Sequence, residues 1–129
     1  MSTNEYLIDT NILIYHTSGS QDTVNFISNL IARHSFNISI LSKIEFLGWD
    51  QHTPDGFEKC KRLVETATIY LIDDFVANKA IDIKRGKRIK LADAVIAATA
   101  LLNNLKLVTR NVDDFKMIDG LEVVNIFEE

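Results

Sequence analysis

A single cysteine, Cys60, stands in the whole chain, which excludes an internal disulfide framework and fits a reducing compartment. A lone cysteine of this kind reads as a small buried apolar residue rather than a catalytic thiol. Proline occurs once and glycine five times, and no linker, repeat or low-complexity stretch interrupts the chain. The start, MSTNEYLIDT, lacks the basic stretch and apolar run of a leader. No apolar segment approaches the roughly 20 residues needed to cross a membrane. A cytoplasmic protein without membrane contact is the expectation. A positive balance is also missing: 14 lysines and arginines against 18 acids give a net charge of -4. Proteins that simply coat nucleic acid are basic overall, so any such contact here has to be local.

What is present is ordinary for a folded domain. The hydrophobic fraction is 47% and the charged fraction 25% over 129 residues, the length of about one domain. Short apolar or β-branched runs at Tyr6 to Ile8, Ile38 to Ile40, Ile69 to Ile72, Leu107 to Thr109 and Val123 to Ile126 read as strands. Between them, Val24, Ile27 and Ile31 share a helical face, as do Phe57, Cys60, Leu63, Val64 and Ala67, and again Val76, Ala80 and Ile83. Thr53-Pro54 has the form of a helix cap with proline at the first helical position, and Gly86 stands where a helix stop is expected. Strands alternating with helices predict a single α/β domain over residues 1–129, with a central parallel sheet of four to five strands and helices on both faces. The stretch LADAVIAATALL, Leu91 to Leu102, is apolar nearly all round and predicts a centrally buried helix in which Asp93 is the only charge.

Four acids are candidates for chemistry, each with a structural alternative. Asp9 closes the first strand, and open parallel sheets bind ligands at the carboxyl ends of their strands; Asp9 or Asn11 could equally cap the following helix. Asp93 lies in the first turn of the apolar helix. There it could complement the helix dipole, but a buried carboxylate costs several kcal/mol, which points to a cation nearby. Glu45 closes Ser42-Lys43-Ile44-Glu45, which matches a capping box, while Phe46, Leu47 and Trp49 set it at the edge of an apolar face. In LVTRNVDDF, Leu107 to Phe115, the residues Thr109, Asn111, Asp113 and Asp114 follow a strand, where one of them could point back across the strand ends or serve only the turn. Carboxylates from several strand ends suit a hard divalent ion such as Mg2+ or Mn2+, which can activate water and neutralise charge on a phosphate. His16, His34 and His52 lack ligand spacing, so zinc is disfavoured and each reads as a surface or turn residue.

Taken in order, IDTNILIY, the Ser42 to Glu45 region, LADAVIAA and LVTRNVDDF resemble a PIN domain of the kind found in VapC-type toxins, over Tyr6 to about Val124. The resemblance implies a metal-dependent endoribonuclease with Asp9, Glu45 and Asp93 in the three central acidic roles, binding magnesium or manganese. It ranks Asp114 ahead of Asp113 for the fourth, and the neutral Asn111, where some members carry an acid, puts a second metal in question. It further implies a homodimer held inactive by a small VapB-like antitoxin that covers the acidic cleft.

Five of the seven residues in KRGKRIK, Lys84 to Lys90, are basic. Beside Asp93 they could position an RNA backbone without reading sequence, or simply be a solvated loop after a helix. Trp49 and Tyr15 read first as packed side chains and second as platforms for bases. A receiver-like phosphoacceptor module is the rival from the binding class, but Thr10 follows Asp9 and Arg110 follows Thr109 where an acidic pair and a lysine would be needed. Asn11 likewise excludes a D-x-D phosphatase. An RNA-processing nuclease outside any toxin pair remains a further alternative.

Overall fold

The computed structural model describes residues 5–127. The apolar runs are divided between two helical layers. Along β1 (Tyr6–Ile8), Leu7 faces one core and Ile8 the other, and Leu107 and Val108 of β4 (Lys106–Val108) divide the same way. Successive strand side chains point to opposite faces, so both faces must be covered. The first face is covered by α5 (Asp74–Gly86) and α6 (Leu91–Leu102), the second by α1 (Thr10–Thr17), α2 (Gln21–Ala32), α3 (Ile40–Leu47) and α4 (Pro54–Glu65). The remaining elements are β2 (Phe36–Ser39), β3 (Thr68–Tyr70), the short α7 (Val112–Phe115) and β5 (Val123–Val124).

All pairings are parallel and the strand order is β3-β2-β1-β4-β5. The chain winds outward from β1 to β3 on one side, then returns to place β4 and β5 on the other. The order therefore reverses between β1 and β4, and the crevice at their carboxyl ends is where such sheets bind ligands. The α/β expectation with a five-stranded parallel sheet is met.

The borders differ from the sequence reading where capping side chains intervene. The second strand covers Phe36–Ser39 rather than Ile38 to Ile40, because Ser39 Oγ accepts from the Leu41 amide and starts α3 at Ile40. At β3 the strand ends at Tyr70, since Asp73 caps α5 and leaves Leu71 and Ile72 exposed. The last strand stops at Val124, and Asn125 Oδ1 accepts from the Phe127 amide in a turn. Thr53 caps α4 with Pro54 at its first turn, and Gly86 is the last residue of α5, both as expected. Residues Ala94 to Ala100 of α6 are buried, while Leu91 and Leu102 at its two ends are exposed. Cys60 is buried in the second core.

Candidate active site

The site grows out of the register of the two central strands. Ile8 pairs with Val108, and the Asp9 amide donates to the Val108 carbonyl. The next residues, Asp9 and Thr109, thus leave the sheet side by side. Asp9 is 6% exposed, so its carboxylate needs donors, and it has three. Oδ1 accepts from the Thr10 amide at 2.8 Å, which makes Asp9 the cap of α1. Oδ2 accepts from Thr109 Oγ1 at 2.8 Å and from Asn11 Nδ2 at 3.3 Å. Asn11 then ties the two strand ends together: Nδ2 also donates to Thr109 Oγ1, and Oδ1 accepts from the Arg110 amide. Capping and function are not alternatives at Asp9, because one oxygen caps and the other faces the crevice network.

Glu45 changes character once α3 is seen. Ser39, not Ser42, caps that helix, so the capping box suggested by Ser42 and Glu45 does not form. Ser42 is buried inside the helix instead. Thr10 Oγ1 lies 2.6 Å from Glu45 Oε1 and 2.9 Å from Ser42 Oγ. A hydroxyl has one proton, and the charged acceptor takes it, which leaves Ser42 to donate to Thr10. A chain Ser42–Thr10–Glu45 therefore aims the glutamate at the end of β1.

Asp93 sits half-buried in the first turn of α6. Asp113 and Asp114 both lie in α7, and the structure separates them. Asp113 pairs with Lys116 at 3.2 Å, whereas the charge of Asp114 acts on Asp93. The Asn111 side chain caps nothing; the Asn111 backbone N–H donates to Thr109 Oγ1 at 3.0 Å.

Electrostatics shows that the four acids share one neighbourhood. Burial pushes the Asp9 carboxyl up to about 6, against the pull of Thr109 and the Thr10 amide, and the charges of Asp93 and Glu45 add to the rise. Burial also raises Asp93, with Asp114 and Glu45 adding repulsion and Lys90 opposing it. Repulsion thus links Asp9 to Asp93 and Glu45, and Asp93 in turn to Glu45 and Asp114. Such an arrangement costs folding energy unless a cation or a bound proton offsets it.

The donor set fits a hard divalent ion, since every group is an oxygen. Among the described residues, no three acidic, histidine or cysteine side chains stand close enough together to hold a metal ion between them. A magnesium ion held by one or two carboxylates, with its remaining waters kept, does not require three.

Two clefts flank the acids. One, about 700 Å³, runs between the basic loop Lys87 to Lys90 and α7, and Asp93, Asp113 and Asp114 all line it. The other, about 720 Å³, lies between α1, α3 and α4 and has Glu45 in its wall. Trp49, expected to be packed away, is 57% exposed at this second cleft. Tyr15 is half-buried as expected, beside Phe127 and the Arg110 guanidinium. His34 is exposed, as expected of a surface or turn residue; His52 accepts or donates at the Phe46 carbonyl (2.8 Å), and His16 lines the second cleft.

Sequence reasoning missed Thr10, Ser42 and the donor role of Thr109. The signal existed for Thr109: it follows the strand that pairs with β1, at the same depth as Asp9.

Comparison with known proteins agrees with the fold. The model of the PIN domain family matches residues 6–121. Ribonuclease VapC10 of Mycobacterium tuberculosis is 30% identical over 121 residues, 90% of each chain. Among solved structures, a toxin-antitoxin complex from Klebsiella pneumoniae has a chain with a TM-score of 0.80 and 29% identity, covering 97% of this chain and 100% of its own. DNA-bound VapBC from Salmonella typhimurium superposes with a TM-score of 0.78 at 19% identity, covering 95% and 98%, and so speaks to the fold alone.

Proposed function

The chain belongs to the PIN domain family, and from that membership we propose that it is a divalent-metal-dependent endoribonuclease, the toxin of a toxin–antitoxin pair. The observation that carries the reading is the set of four carboxylates linked by repulsion at the switch point of the sheet, with buried Asp9 raised to about 6. The relative named as a ribonuclease and the neighbour solved as a toxin-antitoxin complex support the substrate class and the partner.

Asp9, Glu45, Asp93 and Asp114 would hold Mg2+ or Mn2+, which when bound supplies a more acidic water and positive charge at the phosphate. The protein's own residues do the rest. Thr109 and Asn11 fix Asp9 in one rotamer, and Thr10 fixes Glu45, so that the carboxylates meet a phosphodiester without rearranging. Glu45, the most solvent-open of the three central acids, is placed to orient the attacking water. Lys87, Arg88 and Lys90 line the cleft that Asp93 and Asp114 share, and would hold the RNA backbone on an otherwise acidic protein. Charges elsewhere do not cancel them beyond a Debye length of about 8 Å.

A VapB-like antitoxin as inhibitor and a homodimer as the working form complete the proposal. Leu71, Phe75 and Leu102 form an exposed apolar depression beside β3, a surface such a dimer could cover. The test is cleavage of structured and messenger RNA by the antitoxin-free protein. Cutting with magnesium or manganese, lost with chelator and in Asp9→Asn, is expected; no cutting under any of these conditions refutes the reading.

A further inference from the structure

The second cleft has features that the acid cluster does not explain. It measures about 720 Å³, within the range of small-ligand sites, and it shares Glu45 with the cluster. Trp49 stands at its mouth with 57% of its surface exposed, unusual for the largest apolar side chain. The indole is nonetheless held. It meets the His52 ring edge-on, with centroids 5.1 Å apart and planes at 88°. His52 is itself anchored by its Nε2 at 2.8 Å from the Phe46 carbonyl oxygen and by edge contacts with the Phe46 and Phe57 rings. A largely exposed aromatic side chain is thus held in place at the cleft.

The rest of the lining argues for a particular kind of occupant. Ile14, Phe46 and Leu63 make the walls apolar, while His16, Thr17 and Glu45 bring donors and acceptors to them, and Lys59 adds a positive charge. His16 presents part of its ring to the cleft, and burial holds that ring toward its neutral form. A planar ring with polar edges satisfies both kinds of surface, whereas an aliphatic group leaves the polar atoms unpaired.

We propose that this cleft is a nucleobase subsite, in which an unstacked base of the RNA beside the scissile phosphodiester stacks on Trp49 and offers its edge to His16 and Thr17. The inference rests on the ribonuclease reading of the acid cluster, from which it takes the identity of the polymer. Glu45, common to both, sets the base next to the phosphate being cut. The basic cleft on the other side of Asp93 then receives the backbone. Trp49 is in this scheme a specificity-determining residue.

Trp49 is the only tryptophan, so its fluorescence reports on this cleft alone. The full-length protein is titrated in chelator with a short single-stranded RNA and, separately, with an abasic sugar-phosphate oligomer of equal length. Saturable quenching by the RNA, with the abasic oligomer about tenfold weaker or silent, is expected from the contribution of base stacking. Equal quenching by both, or none by either, overturns the proposal. So does an amphipathic helical peptide that quenches where RNA does not, since the cleft is then a protein-docking groove. In cleavage assays Trp49→Leu is expected to raise KM about tenfold with a smaller change in kcat, Trp49→Phe to restore most of it, and His16→Ala to change the base preferred at one position. A Trp49→Leu enzyme with unaltered KM and base preference also overturns it. Base-dependent quenching by a protein that cuts no RNA with magnesium or manganese would sink the ribonuclease reading and leave the base site standing; the reverse pattern would sink only the base site.

Discussion

Thr109 Oγ1 donates to Asp9 Oδ2 at 2.8 Å across the ends of β4 and β1. One hundred residues separate the two in sequence, and strand register alone brings them together. This bond lowers the carboxyl of Asp9 while burial and the neighbouring acids raise it, and the net result is a group near 6. Thr109→Val, nearly isosteric, removes that donor. Asp9 should then titrate higher still, moving the acidic limb of the pH–rate profile up and cutting kcat/KM by about tenfold at pH 7. An unmoved limb would show that Thr109 does not tune Asp9.

Stability should depend on pH in the direction opposite to that of an ordinary salt-bridged acid. Asp9 has a folded value near 6 against 3.8 for the unfolded chain, so the folded state binds the proton more tightly. Its contribution to stability is full below about 4 and lost as the pH rises through 6. At full effect this is up to about 3 kcal/mol. Metal-free protein should melt several degrees higher at pH 5 than at pH 7.5, at roughly 3–5 °C per kcal/mol for this size. A flat or inverted profile in thermal melts counts against a buried, raised Asp9.

Asp9→Asn keeps an acceptor for the Thr10 amide and removes the repulsion. It should abolish RNA cleavage, by about a hundredfold or more, while raising the melting temperature of the metal-free protein at pH 7.5. Magnesium should stabilise the parent protein but not this variant. Loss of activity together with loss of stability would mean that Asp9 is structural.

At Glu45 the informative change is next door. Thr10→Val leaves the glutamate in place and removes the 2.6 Å bond that aims it. Cleavage should fall by roughly tenfold to a hundredfold through kcat, with Thr10→Ser close to the parent. Equal activity of Thr10→Val and the parent would remove the positioning role.

The two adjacent aspartates should behave differently. Asp114→Asn is expected to weaken metal-dependent cleavage by about tenfold and to let Asp93 titrate lower, because its charge acts on Asp93. Asp113→Asn loses an exposed pair with Lys116, and such pairs are worth about 0–1 kcal/mol. Carboxyl titrations by NMR and cleavage rates for both variants distinguish the roles; identical effects would undo the assignment.

How far the sequence reaches can be read from individual residues. The strand at Tyr6 to Ile8 was legible to the residue because polar Glu5 and Asp9 bound the apolar run on its two sides. Asp93 was legible because a lone charge in an apolar helix has few explanations. The ends of β2 and β3 were not, since Ile40, Leu71 and Ile72 continue an apolar run while Ser39 and Asp73 start the next helices by capping them. Propensity cannot see which polar side chain will cap. Glu45 stayed open between capping and chemistry for the same reason: Ser42 and Ser39 both offer a hydroxyl, and only the backbone shows that Ser39 takes the cap.

The sequence by itself determined the fold class, the parallel sheet, the buried α6 and the acids at the strand ends, because these follow from local periodicity and from the cost of burying charge. It also determined that nucleic-acid contact has to be local on a chain of net charge -4. Only the tertiary structure decided which donors hold each acid, that Asp114 rather than Asp113 acts on Asp93, and that Trp49 faces solvent in a cleft walled by Glu45. Those relationships join residues from different elements through strand register and helix packing. Distances across a sheet are properties of the folded chain, and no local pattern encodes them.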